Sequence, residues 1–302
     1  MGITKKSVEF VVEGDVVRGT LYIPEGDSAK AAVALGHGWG MVAGGDLEDY
    51  ARKVVDRGIV ALTFDYRNLG NSDGLPRQHL DPQKQVEDYK AAISFLRSQP
   101  EVDPERIGIW GSSYGGGHVL TVAATDPRVK CVVSQVPTIS SWRAARARMD
   151  DQAWDAQWKA FIAERESVFA GNAMAVQQTV GDQPGVAVSY PDPASFSYMM
   201  KEGKRCPTWK NYTTLASLEL ARNYEPGAYV YRITQTPVLM IIASQDSVTP
   251  HGLQREAFAA MTCPKELFEV EGDHYTVYQE HFEATSTAAA DWFEKNLKDA
   301  SR

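Results

Sequence analysis

Apolar runs alternate with amphipathic stretches at both ends of this chain. Residues 8–12 and 16–22 predict two strands of an antiparallel hairpin around a Glu-Gly-Asp turn. Further strands are predicted at 31–35, 59–64, 106–110, 129–136, 238–243 and 267–270, and helices at 47–57, 82–97, 252–261 and 286–297. Strands that alternate with helices predict βαβ units, and therefore a mostly parallel sheet with helices on both faces.

The alternation stops between residues 138 and 236. Within this segment Trp154, Trp158, Phe161 and Ile162 follow the i, i+4, i+7, i+8 spacing of an apolar helix stripe. The stretch 182–192, which contains Pro184, Gly185 and Pro191, predicts an irregular loop. Because the strand pattern resumes afterwards, we predict one α/β core of residues 1–137 and 237–302, interrupted by a helical lid of residues 138–236.

Composition narrows the class of protein. With 302 residues, of which 43% are apolar, the chain can bury one large core, and its net charge of -8 argues against nucleic-acid binding. The three cysteines, Cys131, Cys206 and Cys263, are widely spaced, so we expect reduced thiols. No signal peptide, membrane-spanning run, metal-ligand spacing or phosphate loop is evident, which predicts a cytoplasmic protein without a cofactor.

Candidate chemistry centres on Ser113, in the stretch Gly111-Ser112-Ser113-Tyr114-Gly115 between a predicted strand and a predicted helix. A sharp turn of this kind can present a nucleophilic hydroxyl. Such a hydroxyl needs a base and an acid that orients the base. His274 follows the last predicted strand and Asp246 follows the preceding one, so both would lie at the carboxyl edge of the sheet.

Other assignments are open for several of these residues. Asp273 adjoins His274 and is a rival acid, while Asp246 could instead cap the helix near Pro250. His37 is a rival base, and His118 lies on the helix after the turn, where packing is expected. Asp65 and Asp73 are expected to make local hydrogen bonds to the backbone rather than to bind a metal.

These landmarks resemble the α/β-hydrolase superfamily over nearly the whole chain outside the insertion. The resemblance includes His37-Gly38-Trp39-Gly40 and the stretch from Phe64 to Gly74. It implies catalysis by Ser113, Asp246 and His274, with the backbone N–H groups of Trp39 and Tyr114 as the oxyanion hole. The chain is most similar to capped esterases and thioesterases near the dienelactone-hydrolase-like group, including polyketide-releasing hydrolases and acyltransferases. True dienelactone hydrolases carry cysteine at the position of Ser113.

The resemblance implies cleavage of an ester or thioester through an acyl-enzyme. The aromatic insertion favours an apolar acyl group, with Trp142, Trp154 and Trp158 as candidate pocket residues; packing of the lid is the alternative. Arg143, Arg146 and Arg148 form either a solvated face or a contact for a pantetheine phosphate or an acyl-carrier protein. Rival functions are acyl transfer to an alcohol, ligand binding by a non-catalytic receptor, and peptidase activity. A homodimer is compatible with the sequence.

Overall fold

The computed structural model describes residues 2–26, 28–183 and 186–298. Its strands are β1 (Ile3–Val12), β2 (Asp15–Pro24), β3 (Lys30–Gly36), β4 (Val60–Phe64), β5 (Val102–Ser112), β6 (Val129–Gln135), β7 (Val176–Val180), β8 (Val188–Tyr190), β9 (Thr213–Thr214), β10 (Val238–Ala243) and β11 (Lys265–Val270). Its helices are α1 (Asp46–Asp56), α2 (Pro82–Arg97), α3 (Tyr114–Thr125), α4 (Ser141–Arg148), α5 (Asp151–Phe169), α6 (Pro193–Arg205), α7 (Leu215–Arg222), α8 (His251–Ala260) and α9 (Phe282–Lys298).

Eight strands form one sheet in the order β1-β2-β4-β3-β5-β6-β10-β11. The pairs β1–β2 and β2–β4 are antiparallel, and every pair from β4 to β11 is parallel. The predicted parallel sheet, with an antiparallel hairpin at one edge, is therefore confirmed. Because β5, β10 and β11 run in the same direction, the loops that follow them meet at one edge of the sheet.

Both faces of this sheet are buried, as the continuous apolar runs predicted. Alternate residues of β3 point to opposite faces: Ala32 and Ala34 belong to the core beneath α2, α3 and α8, whereas Val33 and Leu35 pack with α1 and α9. Gly108 on β5 allows close packing of α9, because a Cβ at that position would lie 2.9 Å from the Phe293 ring. This core fixes the strand ends that carry the candidate site.

The segment between β6 and β10 contains α4 to α7 and a second sheet in the order β8-β7-β9. Helix α5 carries the predicted tryptophan stripe, but the small sheet was not predicted. Its strands are short, and the polar side chains of Gln177 and Gln178 give no apolar run. The loop predicted at 182–192 contains β8, while Pro184 and Gly185 lie outside the described residues.

Two further observations concern the cysteines and the hydropathy of the helices. Cys131, Cys206 and Cys263 are all buried free thiols. Within the described ranges, no helix is both long enough and apolar enough to cross a membrane.

Candidate active site

Ser113 occupies the sharp turn between β5 and α3. Its backbone has φ 57° and ψ -117°, a conformation that residues with a side chain rarely adopt. A Cβ on Gly111 would lie 2.2 Å from the carbonyl oxygen of Gly115, and one on Gly115 would lie 2.4 Å from that of His37. The glycines are therefore required by close backbone approach, whereas the serine itself carries the strain.

The structure brings Ser113, His274 and Asp246 into one hydrogen-bonded line. His274 Nε2 lies 3.0 Å from Ser113 Oγ, and His274 Nδ1 lies 2.7 Å from Asp246 Oδ2. His274 is 3% exposed and Asp246 is 2% exposed, so little water competes for these bonds. With Nδ1–H donating to the carboxylate, Nε2 is free to accept the serine proton.

Besides His274, four donors hold the Asp246 carboxylate in place. Oδ1 accepts the backbone N–H groups of Val248 and Thr249, each at 2.9 Å. Oδ2 accepts the Thr249 hydroxyl at 2.8 Å and the Gln254 side-chain amide at 3.3 Å. Sequence reasoning did not identify Thr249 or Gln254, since a threonine and a glutamine after a strand carry no distinctive pattern.

The rival acid and bases have other partners. Asp273 accepts the N–H of Tyr275 at 2.9 Å and the hydroxyl of Thr276 at 3.0 Å, so it stabilises its own loop. His118 is buried between Tyr224 and Gln85. His37 Nδ1 donates to the Gly38 carbonyl at 3.0 Å, and burial lowers the pKa of His37 to about 4.

The predicted oxyanion amides lie beside the serine. A Cβ on Gly38 would be 3.0 Å from Ser113 Cβ, so the 37–40 loop packs directly on the nucleophile turn. Tyr114 is the first residue of α3, where a helix leaves its N–H groups without intrahelical acceptors. In the described structure, neither the Trp39 N–H nor the Tyr114 N–H donates to another residue. Both amides are available to a ligand oxygen.

A cleft opens above Ser113 and His274, with about 520 Å³ of space that includes the part open to solvent. Its apolar walls come from both the core and the insertion, including Met41, Tyr198, Met199 and Tyr275. Asp46 also lines this cleft: the Tyr198 hydroxyl donates to its carboxylate, and burial raises its pKa to about 7. Nothing in the sequence singled out Asp46, because it is one of three acidic residues in the first turn of α1.

A second cavity adjoins the cleft, with about 1070 Å³ of space that includes the part open to solvent. The two share Trp39, Tyr190 and Val248 as wall residues. Tyr114 lines the second cavity, together with apolar residues from α4 and α7. The insertion therefore covers a space that begins at the serine and extends beneath its helices.

The candidate pocket tryptophans of the insertion take the alternative arrangement that the sequence left open, which is packing on one another. Trp142, Trp154 and Trp158 line neither cavity. They pack edge to face on one another, with ring centroids 5.9 and 6.2 Å apart, and the series continues to Phe161 at 5.6 Å. Aromatic rings favour this T-shaped packing, and it joins α4 to α5.

The three arginines of α4 differ in their surroundings. Arg143 pairs with Glu256 at 2.6 Å, and Arg146 pairs with Asp151. Arg148 donates to the Val248 carbonyl at 2.8 Å and lines the second cavity. Asp65 makes the expected local bonds to backbone N–H groups at 2.6 and 2.7 Å. Across the described residues, no cluster of three or more His, Cys, Asp or Glu could hold a metal ion.

Comparison with known proteins identifies a family and several relatives of this chain. Residues 13–276 match the family described as X-Pro dipeptidyl-peptidase (S15 family). The chain is 31% identical to thiohydrolase aneE of Aspergillus aculeatus, covering 94% of this chain and 91% of that protein. It is 30% identical to polyketide transferase claH of Penicillium crustosum, covering 97% of each.

Solved structures share this fold. The alpha/beta hydrolase GrgF from Penicillium sp. sh18 superimposes with a TM-score of 0.84 at 23% identity, covering 98% of this chain and 99% of that one. The α/β-hydrolase fold predicted from the sequence is confirmed, and the non-catalytic receptor is not supported. The chain thus belongs to the X-Pro dipeptidyl-peptidase (S15) family of α/β-hydrolases, and it is a serine hydrolase that acts on ester bonds.

Proposed function

We propose that this chain cleaves carboxylic esters or thioesters of apolar acids through an acyl-enzyme on Ser113. The observation that carries this proposal is the continuous line from Ser113 Oγ through His274 to Asp246, buried beside two unbonded backbone amides. A relative named as a thiohydrolase supports thioesters as one substrate class.

The steps follow from this geometry. His274 Nε2 takes the Ser113 proton while Oγ bonds to the substrate carbonyl carbon, and the N–H groups of Trp39 and Tyr114 stabilise the oxyanion. The tetrahedral intermediate collapses, and His274 returns the proton to the departing alcohol or thiol. Water, activated by the same imidazole, then releases the acid and restores the serine.

Ser113→Ala tests this assignment against a neighbouring serine. We expect Ser113→Ala to lower kcat by about 10⁴-fold or more and to abolish labelling by a fluorophosphonate probe. Ser112→Ala is the matched control, since its hydroxyl bonds to the Tyr278 hydroxyl at 2.5 Å instead of to His274. Full esterase activity in folded Ser113→Ala, or labelling that moves to another residue, would refute the mechanism.

We further propose that residues 138–236 act as a lid that selects the acyl group. Val188, Met199 and Leu218 of this segment line the two cavities, which supports apolar chains. A series of p-nitrophenyl esters with acyl chains of increasing length measures the enclosed space. A preference for acetyl over every longer chain would contradict this role.

Acyl transfer is the second candidate, favoured by the similarity to a protein named as a polyketide transferase. The same acyl-enzyme would react with an alcohol in place of water. A thioester substrate supplied with and without an alcohol acceptor separates the two outcomes, because hydrolysis yields acid and transfer yields a new ester. Predominance of the ester in dilute alcohol would establish transfer.

We also propose an acyl donor, a cellular compartment and an oligomeric state for this reaction. An acyl-carrier protein would supply a thioester in the cytoplasm, and the chain would act alone or as a homodimer. Turnover of the same acyl group on a carrier protein and on a small thiol tests the first point. Light scattering of the purified protein gives the number of chains, and fractionation of cells gives the compartment.

A further inference from the structure

The second cavity carries positive charge without negative charge. Two arginines, Arg148 and Arg222, belong to its walls, and none of the residues that line it is an aspartate or a glutamate. The remaining walls are apolar or uncharged, with Ile139, Leu218 and Leu253 among them. A ligand in this space would meet an apolar chamber with a cationic region.

Arg222 is the more informative of the two arginines, because it is only 8% exposed. Its guanidinium donates to a neutral group, the side-chain oxygen of Gln157, with Nε at 3.2 Å. Among the described residues, neither Arg222 nor Arg148 forms a salt bridge. Burial, followed by repulsion from Arg148, lowers the pKa of Arg222 to about 10, so the group is still a cation at neutral pH.

Two more hydrogen-bond donors in this wall have no acceptor. In the described part of the chain, the Tyr114 hydroxyl and the Trp39 indole nitrogen are both buried and unbonded. Burial holds the pKa of Tyr114 well above its usual range, so this hydroxyl keeps its proton. The Trp39 and Tyr114 rings lie 5.0 Å apart, and both line the second cavity.

Buried charges in proteins are normally paired, because removing an ion from water is costly without a counter-charge. Here Arg222 is a buried cation whose contacts are the neutral Gln157 oxygen and the Trp154 ring, 5.7 Å away, whereas Arg148 is exposed. The cavity wall that these two cations share with two neutral donors offers no carboxylate. Such a wall is complementary to a group that is negatively charged and rich in acceptor oxygens. An arginine also binds carboxylates and phosphates in a bidentate manner.

We propose that the second cavity binds an anionic group of the substrate, a carboxylate or a phosphate, through Arg222 with help from Arg148. This inference rests on the proposed function, since the anion must belong to a molecule whose ester carbonyl reaches Ser113. It specifies the substrate class further: a chain with apolar character that carries one acid group at a distance from the scissile bond.

The anionic group could lie on either of two parts of the substrate, and two pairs of substrates distinguish these possibilities. It could be a carboxylate at the end of the acyl chain or a phosphate on the departing thiol. The first arm compares p-nitrophenyl esters whose acyl chains end in a carboxylate with esters of equal length that end in a methyl group. The second arm compares one acyl group on phosphopantetheine and on pantetheine.

The measured quantity is the ratio of kcat/KM for the anionic and the neutral member of each pair. We expect a ratio well above one in one arm, and a fall in that ratio of about 10- to 100-fold in Arg222→Met, the size typical of a lost charged hydrogen bond. Arg222→Lys should keep part of the preference. Because the ratio is taken within each variant, a general loss of folded enzyme cancels.

Arg143→Gln is the matched control, because Arg143 lies on the same lid helix as Arg148 but pairs with Glu256 and lines neither cavity. It should leave the ratio unchanged. A wild-type ratio near one in both arms, or an equal ratio in wild type and Arg222→Met, would overturn the inference. Turnover of the neutral esters in the same experiment would leave the proposed function standing.

Binding to Ser113→Ala supplies a readout that does not depend on turnover. Calorimetry with a long-chain dicarboxylate and with phosphopantetheine should show weaker binding, by about 10-fold or more, once Arg222→Met is added. Equal affinity with and without Arg222 for both probes refutes the anion site even if no ester is hydrolysed.

Discussion

Asp246→Asn tests the arrangement of the candidate site most directly. In the wild-type protein Oδ1 accepts two backbone N–H groups, those of Val248 and Thr249, and a side-chain NH₂ cannot occupy that place. The asparagine oxygen must therefore take the Oδ1 position, which directs its NH₂ toward His274 Nδ1, 2.7 Å away. Nδ1 would then accept a hydrogen bond from this NH₂ and carry no proton. The ring proton would lie on Nε2, which could not deprotonate Ser113.

The fold should tolerate this variant. The Thr249 hydroxyl lies 2.8 Å from the Val136 carbonyl as well as from Asp246 Oδ2. It can donate to that carbonyl and accept from the new NH₂. The catalytic rate is affected instead: loss of the reactive tautomer should lower kcat by about 10⁴-fold, which is about 5 kcal/mol of activation free energy. KM should change little, since the carboxylate does not face the cleft.

The assay is hydrolysis of a p-nitrophenyl ester, with thermal unfolding to confirm the fold. Asp273→Asn is the control, because Asp273 bonds only to its own loop in the described structure. The kcat of Asp246→Asn should be no higher than that of Asp246→Ala, although the asparagine keeps more polar contacts. A decrease of less than tenfold, or a clear advantage of asparagine over alanine, would refute the tautomer argument.

Two further predictions concern stability. Gly115→Ala should lower the free energy of unfolding, measured by urea titration, by about 2 kcal/mol or more and reduce activity, because its Cβ would lie 2.4 Å from the His37 carbonyl oxygen. Gly252→Ala is the control: it has open space around it, so its free energy of unfolding should be unchanged or higher. Burial raises the pKa of Asp46 from 3.8 to about 7. Between these pH values the carboxyl group is protonated in the folded state and ionised in the unfolded state, so the stability that this proton contributes is lost as pH rises through about 7. Asp46→Asn should therefore be more stable than wild type at pH 8, by at most about 4 kcal/mol, and should match it near pH 4; an equal difference at both pH values would contradict the assignment.

Some residues of the candidate site could be predicted from the sequence pattern, and others could not. Ser113 was predicted from a local motif, and Asp246 and His274 from their positions after strands. Parallel strands bring such loops to one edge, so chain order alone predicted that the three residues would lie together. Thr249, Gln254 and Asp46 were missed, because their roles depend on contacts between distant segments, which no local spacing encodes.

By itself, the sequence determined the parallel sheet, the nucleophile turn and the order of the three candidate catalytic residues, since these depend on local geometry and on hydrophobic periodicity. The tertiary structure alone decided which side chains line the cavities. Trp142, Trp154 and Trp158 looked suited to a pocket, yet they pack against one another outside it. Arg222, on an ordinary amphipathic helix, faces the cavity instead. Periodicity identifies the apolar face of a helix, but packing between helices decides whether that face meets a ligand or another side chain.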